Sequence, residues 1–189
     1  MHHCGTRRIE TERLILRRFT PADAEAAFRN WMSDPEVTRF LRWKPHQDAA
    51  HTAAILESWE QNYASADYYL WAIELREIGE PIGSIAVVRQ DEQIGMAHIG
   101  YCIGRPWWHR GYTSEALAAV IAYLFREVGV NRIETQHDPA NPHSGGVMRK
   151  CGMRYEGTLR QADISNQGIV DAAVYAILAE EYEGEVKRG

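Results

Sequence analysis

A long amphipathic helix between two strand-like segments is the feature that most limits how this chain can fold. Apolar residues recur on one face of residues 113–128 with the period of an α-helix, and Gly129 is a typical residue to end it. That face consists of Leu117, Val120, Ile121, Leu124 and Val128. Strand-like segments precede the helix at 96–103 and follow it at 131–137. A strand, a helix and a second strand in this order predict a parallel crossover inside a mixed sheet.

The remaining segments predict antiparallel strands and a few more helices. Further strands are predicted at 13–18, 68–75, 81–88, 153–160 and 169–178, several of them separated by short polar turns. Further helices are predicted after Thr20-Pro21, over 48–62 and over 142–151. We therefore expect a mixed α+β fold with a mostly antiparallel sheet of seven strands and about four helices. One domain is expected over 9–182, with tails at 1–8 and 183–189.

Composition and charge exclude several classes of protein. The 189 residues suffice for one core, and 45% hydrophobic with 25% charged residues is typical of a soluble domain. A net charge of -5 argues against binding to nucleic acid or to an anionic membrane. Cys4, Cys102 and Cys151 are too scattered for a disulfide framework or a metal site. The first residues lack the apolar core of a signal peptide, and no apolar run suits a bilayer, so we expect a cytoplasmic protein.

The segment from Trp107 to Ala118 combines a glycine turn with the start of a helix. Gly111 permits a close backbone approach or a positive φ, and the helix after it offers free N–H groups at the positive end of its dipole. This combination predicts a binding site for a diphosphate, although a loop that only caps the helix would show the same glycine. The turn lacks Gly-x-Gly-x-x-Gly and Gly-Lys-Ser/Thr, which argues against a dinucleotide or nucleoside triphosphate module.

A second distinctive segment, from Asn141 to Met153, starts another helix. Asn141 is a good N-cap, Pro142 suits the first helical position, and Gly152 suits the residue after the last turn. Capping alone explains these three residues. It does not explain the two adjacent glycines at 145–146, each of which weakens a helix by up to about 1 kcal/mol relative to alanine. The functional alternative is that the two glycines let a bound molecule approach the start of this helix closely.

Four segments occur in a characteristic order along the chain: Thr11-Glu12-Arg13-Leu14-Ile15-Leu16-Arg17, then Trp108-x-x-Gly111-Tyr112-x-x-Glu115-Ala116-Leu117, then Asn141-x-x-Ser144 with Lys150-Cys151-Gly152, and finally Asp171 to Tyr182. This ordered set resembles the Gcn5-related N-acetyltransferase (GNAT) superfamily. Within it, the set resembles the branch that acetylates the N-termini of ribosomal proteins, the RimJ/RimL type. The resemblance covers roughly residues 9 to 182.

The resemblance implies a sheet that is splayed at the cofactor site, with acetyl-CoA as the acyl donor. It implies that the amides of residues 109–114 hold the diphosphate. It also implies that an open strand edge pairs with the peptide-like pantetheine arm, which Asn141 also contacts. Glycine is a common bulge residue, so we expect a bulge at Gly100 to open that edge. The complete set of implied cofactor contacts is Tyr101, Cys102, Ile103, His109, Arg110, Gly111, Tyr112, Thr113, Ser114, Asn141 and Ser144.

The implied reaction is attack of a neutral primary amine on the thioester carbonyl. A backbone N–H near Ile103 is the expected donor to the oxyanion, and Ser144 is the expected proton donor to the leaving thiolate. His98 stands where the family commonly has a glutamate, and it is the candidate base or water-positioning residue. A structural role for this strand histidine is equally open. Glu156 and Asp163 are weaker candidates for the base.

The acceptor is expected to contact the first part of the chain and a polar segment near the end. Trp31, Phe40 and Trp43 are the predicted substrate-binding residues, although an aromatic cluster of this kind is more often part of a core. The segment 161–168 is predicted to be a mobile loop over the acceptor. A protein N-terminus and a small-molecule amine both remain open as acceptors, and the fold allows a homodimer.

Thr113 departs from the family pattern, because Gly or Ala usually stands at this position. With the loss of the acidic residue at position 98, this departure keeps a second function open, that of a non-catalytic acyl-CoA sensor.

Overall fold

An eight-stranded mixed sheet forms the centre of the fold. The computed structural model describes residues 1–186 of the chain. The strands are β1 (Ile9–Glu10), β2 (Leu14–Arg17), β3 (Leu70–Leu75), β4 (Glu80–Asp91), β5 (Met96–Ile103), β6 (Arg132–His137), β7 (Arg154–Ser165) and β8 (Gly168–Leu178). They lie in the order β1-β2-β3-β4-β5-β6-β8-β7. Seven strands were expected; β1 is the additional one, and its two residues are too few to show an alternating pattern.

Helices lie on both faces of this sheet. They are α1 (Ala24–Ala27), α2 (Pro35–Thr38), α3 (Ala49–Asn62), α4 (Tyr112–Tyr123), α5 (Pro142–Lys150) and α6 (Ala179–Val186). The expected number of about four was low: the helix expected after Thr20-Pro21 is α1, and the two additional helices are α2, which has only four residues, and α6, which follows the last strand directly. Over the described residues, no helix combines the length and the apolar character that crossing a membrane requires.

The parallel crossover is confirmed. Within the described residues, β5 and β6 form the one parallel pair, and α4 with a π-helical turn at Leu124–Val128 connects them. The apolar face of this helix is buried, with Leu117 and Val120 fully inaccessible to solvent. Gly129 ends it with a φ of 70°, a conformation that glycine adopts without strain.

Strand β3 shows how the two faces of the sheet are covered. Its residues alternate between two hydrophobic clusters, as the two-residue period of a strand requires. Trp71 and Ile73 belong to the cluster that contains the buried residues of α4, whereas Leu70 and Ala72 belong to the cluster that contains α1 and α3. The sheet is therefore buried on both sides.

The segment predicted as an N-terminal tail packs against the fold. The backbone N–H of His2 donates to the carbonyl of Val128 and that of Gly5 to the carbonyl of Ala66, both at 2.7 Å. At the other end, the predicted tail 183–189 begins inside α6, and residues 187–189 lie outside the described residues.

The predicted bulge at Gly100 is wrong, because Gly100 is paired regularly with Ala86. The register shifts instead between Val87 and Arg89 of the neighbouring strand, so Val88 is the extra residue. A Cβ on Gly100 would lie 3.2 Å from Val88 Cγ1. The glycine therefore gives room to a bulge on its partner strand.

The predicted loop at 161–168 is also wrong for most of its length, because residues 161–165 belong to β7. A three-residue irregularity lets this polar stretch remain in the strand: Gln161 has a φ of 51°, and its N–H donates to Asp171 at 2.8 Å. The turn after β7 is hydrogen-bonded to the end of α2 and the segment that follows it. Asn166 Nδ2 donates to the carbonyls of Thr38 at 2.8 Å and Trp43 at 2.9 Å.

Candidate active site

The parallel pair in the middle of the sheet opens after three residues. Residues Met96 to His98 of β5 pair with Arg132 to Glu134 of β6, and within the described residues the pairing ends there. The rest of β5 keeps only its antiparallel partner β4. One edge of the backbone from Ile99 to Ile103 is therefore free to accept a peptide-like molecule.

A cavity of about 430 Å³ lies at this opening. Its lining includes Tyr101, Cys102, Ile103, Trp107, Trp108, His109, Gly111, Thr113, Ser114, Asn141, His143, Ser144, Gly146, Val147 and Lys150, together with Glu36, Val37, Phe40, Leu41 and Ala140. Tyr101 packs against the α4 side of the sheet, and Cys102 packs against the α1 and α3 side. The cavity therefore reaches both faces of the sheet through the gap between β5 and β6.

The turn before α4 has the backbone geometry of an anion site. Gly111 is left-handed with a φ of 80°, and His109 also has a positive φ, of 60°. The first intrahelical bond runs from the N–H of Glu115 to the carbonyl of Gly111. The N–H groups of residues 112–114 therefore remain available at the positive end of the helix dipole. The Nζ of Lys150 lies 3.8 Å from where a Cβ on Gly111 would be, which adds a positive charge beside the turn.

Asn141 and Ser144 line the cavity from the first turn of α5. Asn141 occupies the N-cap position, but its side chain does not cap the helix. Ser144 Oγ lies 3.0 Å from the hydroxyl of Tyr101, which also lies 3.1 Å from the Ser144 carbonyl and can donate to it. Burial raises the pKa of Tyr101, so this hydroxyl keeps its proton at neutral pH. Ser144 and Tyr101 thus form a pair of protonated hydroxyls at the gap.

The two adjacent glycines of α5 have different surroundings. A Cβ on Gly145 would lie 2.6 Å from His137 Nε2, so this turn of the helix approaches β6 more closely than an alanine allows. Gly146 lines the cavity, and a Cβ there would have only the distant guanidinium of Arg149 within reach. The packing of α5 against β6 thus explains the close approach at Gly145, whereas the lack of a side chain at Gly146 leaves space in the cavity.

His98 does not line the cavity. It is 8% exposed, and its Nδ1 lies 3.0 Å from Glu134 Oε1 on β6. The hydrogen bond from His98, followed by those from Arg132 and Arg89, lowers the pKa of Glu134 to about 2. His98 thus belongs to a charged cluster at the last paired position before the gap. Its role as a base stays a prediction.

The three predicted substrate-binding aromatics are separated in the structure. Phe40 lines the cavity. Trp31 is fully buried in the core on the α1 and α3 side, and Trp43 is half-buried against the same core without lining the cavity. The position of Trp31 therefore contradicts contact with a substrate, because the core has already covered its whole surface. Sequence reasoning did not select Glu36, His143 and Lys150 as site residues, although Lys150 lies in one of the resemblance motifs.

A family model described as an acetyltransferase (GNAT) domain matches residues 13–154. The chain belongs to this family. The match spans β2 to the start of β7 and contains the turn, the open edge of β5 and α5. The protein is therefore an N-acetyltransferase that uses acetyl-CoA, as enzymes of the GNAT family do.

Relatives of the whole domain carry N-acetyltransferase names. The chain is 33% identical over 170 residues to the uncharacterized N-acetyltransferase YoaA of Bacillus subtilis (strain 168), covering 90% of this chain and 96% of that protein. It is 31% identical over 174 residues to the uncharacterized N-acetyltransferase p20 of Bacillus licheniformis, covering 92% and 97%. It is 29% identical over 164 residues to the [ribosomal protein uS5]-alanine N-acetyltransferase of Escherichia coli (strain K12), covering 79% of each chain.

Solved structures confirm the GNAT fold. A GNAT-family acetyltransferase from Bacillus anthracis superposes with a TM-score of 0.80 at 27% identity, covering 92% of this chain and 99% of that one. The microcin C7 self-immunity acetyltransferase MccE, solved with acetyl-CoA and AMP, has a TM-score of 0.79, covers 89% of this chain and 93% of its own, and at 18% identity shares the fold alone.

Proposed function

We propose that the cavity at the open edge of β5 is where this enzyme transfers an acetyl group from acetyl-CoA to a primary amine. The diphosphate lies on the amides of residues 109–114, the pantetheine arm pairs with β5 from Tyr101 to Ile103, and Asn141 hydrogen-bonds that arm. One observation carries the proposal: a single cavity is lined by the left-handed turn, by the open strand edge and by Ser144.

The chemistry at the gap is direct transfer in a ternary complex. The neutral amine attacks the thioester carbonyl, the new C–N bond forms, and negative charge collects on the carbonyl oxygen. A backbone N–H on the open edge near Ile103 stabilises that charge. The carbonyl re-forms as the C–S bond breaks, and Ser144 gives a proton to the departing sulfur, with Tyr101 hydrogen-bonded behind it. The nitrogen loses one proton to become the neutral amide, and this proton passes to Ser144, directly or through water, and restores its hydroxyl.

The acceptor enters from the face of the sheet opposite α4 and α5. Val37, Phe40 and Leu41 supply an apolar wall on that side, and Glu36 is the acidic side chain that lines the cavity within the described residues. A carboxylate beside an apolar wall suits an acceptor that arrives as an ammonium next to a small apolar group. An N-terminal residue of a protein and a small amine both satisfy this description. The homodimer that the fold allows stays a prediction.

The test combines binding with turnover. The purified protein is titrated with CoA by calorimetry, and acetyl-CoA is incubated with a panel of peptides and small amines while free CoA thiol is measured. Binding of CoA together with amine-dependent thiol release supports the proposal. CoA binding without thiol release from any amine favours the sensor instead. Stabilisation against heat by ATP or NAD that exceeds stabilisation by CoA contradicts both.

A further inference from the structure

Arg13 connects the first turn of α4 to the loop that precedes it. This residue lies immediately before β2, far from the turn in sequence. Its backbone N–H and its Nε donate to the two carboxylate oxygens of Glu115, at 2.9 and 2.7 Å. Its Nη1 donates to the backbone carbonyl of Arg110 at 3.0 Å. One side chain thus holds both ends of the segment whose amides face the proposed diphosphate.

Glu115 is an unexpected neighbour for an anionic ligand, because its carboxylate lies in the same first turn of α4. Burial alone would raise the pKa of Glu115, but hydrogen bonds from Thr11 and Arg13 outweigh it and hold this pKa below its usual range. The carboxylate is therefore charged. A negative charge near the start of a helix stabilises the helix, yet it repels a second anion that binds at the same place.

The guanidinium of Arg13 is held in one orientation toward the turn. Its Cζ lies 4.4 Å from the centre of the Tyr112 ring. Its Nη2 lies 3.5 Å from where a Cβ on Gly111 would be, and it makes no hydrogen bond to another described residue. A planar guanidinium that is already paired on one side can present its remaining N–H groups on the other.

We propose that Arg13 is a positioning residue for the acyl donor. It neutralises Glu115 and holds the Arg110 carbonyl away from the ligand, so that the amides of the turn face the diphosphate. The inference rests on the proposed function, since it concerns the same turn. It assigns a role to the pair of Arg13 and Glu115 and to no reacting atom.

The first test compares the affinity of wild-type protein and Arg13→Ala for CoA by calorimetry. Loss of a charge-assisted contact and exposure of the Glu115 charge predict a dissociation constant about tenfold higher. Arg13→Ala combined with Glu115→Gln is expected to recover part of that loss, because the repelling charge is gone. Arg8→Ala is the matched control: Arg8 is exposed, and its Nε donates to Glu10 at 2.8 Å and not to a residue of the turn.

The second test locates the effect at the diphosphate. Dephospho-CoA keeps the diphosphate and lacks the 3′-phosphate, so the same loss of affinity is expected with it. S-acetylpantetheine lacks both, so kcat/KM in Arg13→Ala is expected to fall about tenfold more with acetyl-CoA than with S-acetylpantetheine.

Three outcomes overturn the inference: an unchanged CoA affinity, equal losses with both acyl donors, or a loss that vanishes with dephospho-CoA. If Arg13→Ala does not fold, Arg13→Gln carries the same comparisons, because it keeps an N–H donor for the loop. Failure of the wild-type protein to bind CoA contradicts the proposed function instead.

Discussion

The hydroxyl oxygens of Tyr101 and Ser144 lie 3.0 Å apart, and this contact joins β5 to α5 across the opening in the sheet. It brings a strand residue and a helix residue that are 43 positions apart to the place where the thioester is proposed to lie. Tyr101 has one hydroxyl proton, which it donates either to the Ser144 carbonyl or to Ser144 Oγ; in the second case the proton of Ser144 is free to point into the cavity.

Ser144→Ala is expected to lower kcat by about 100-fold, the usual contribution of a positioned acid. The CoA dissociation constant should change by less than about threefold, because the diphosphate and pantetheine contacts remain. Steady-state kinetics and calorimetry measure the two effects. Ser65→Ala is the control, since Ser65 is exposed and its hydroxyl contacts Asp67, and neither residue lines the cavity. A wild-type kcat in Ser144→Ala removes Ser144 from the mechanism.

Gly111→Val is expected to abolish CoA binding or to raise the KM for acetyl-CoA at least tenfold. Its φ of 80° is strained for valine, and relaxation of the turn would misdirect the amides. Gly129→Val is the matched control, because Gly129 has a φ of 70° at the other end of the same helical segment with open space around it. Both variants should lose about 1–2 kcal/mol of stability, but only Gly111→Val should lose affinity for CoA. Equal CoA affinities would show that the turn does not hold the ligand.

Phe40→Ala is expected to raise the KM for the amine acceptor several-fold while leaving the affinity for CoA unchanged, because Phe40 lines the cavity on the α2 side. Trp31→Ala provides the contrast. Trp31 is fully buried, so its truncation should lower the free energy of unfolding by about 3–5 kcal/mol. Acceptor kinetics and chemical denaturation separate the two. An unchanged acceptor KM in Phe40→Ala would move the acceptor away from this wall.

His98→Ala distinguishes a base from a structural residue. If His98 takes the proton of the amine, directly or through water, the fall of kcat/KM toward acid pH should disappear in this variant. Arg89→Met is the control, because Arg89 contacts the same Glu134 carboxylate and would disturb the charged cluster without removing the imidazole. A pH profile of His98→Ala that is parallel to that of the wild type assigns His98 to the cluster alone.

Glu134 should make the stability of the protein depend on acid pH. Its pKa is lowered to about 2 in the fold, so its stabilising contribution is complete above its unfolded pKa, near 4.5, and is lost as the pH falls toward 2. Glu134→Gln is expected to be less stable than the wild type by about 1–3 kcal/mol at pH 7. Thermal unfolding of both proteins between pH 7 and pH 3 should show the difference in Tm shrinking below about pH 4.5. A difference that stays constant over this range contradicts the ion-paired state of Glu134.

Periodicity and turn residues allowed the centre of the fold to be predicted. The apolar face repeats over residues 113–128, which form α4 and the π-helical turn after it, and strands flank them, so the parallel crossover follows from local pattern alone. β1 could not be found in this way, because two residues carry no period. The bulge was assigned to Gly100 because glycine is a common bulge residue, whereas the extra residue is its neighbour Val88 on the adjacent strand.

The side chains of the site were harder to predict, since their contacts join distant parts of the chain. Trp31 and Phe40 belong to one aromatic segment, but only the packing of α1 and α2 decides that the first is buried and the second faces the cavity. Arg13 and Glu115 are 102 positions apart, and neither residue type indicates the other. Both residues occur in the motifs that carry the family resemblance, and the hydrogen bonds between them give a physical reason for their presence there.

Within the described residues, three residue pairs join β5 to β6, so the contact between the two halves of the sheet is short. A pantetheine arm lying along the free edge of β5 would add backbone hydrogen bonds beyond the point where β6 stops pairing with β5. The bound acyl donor would then link the two halves of the sheet, so we expect the enzyme to be most rigid with acetyl-CoA bound and least rigid after CoA has left.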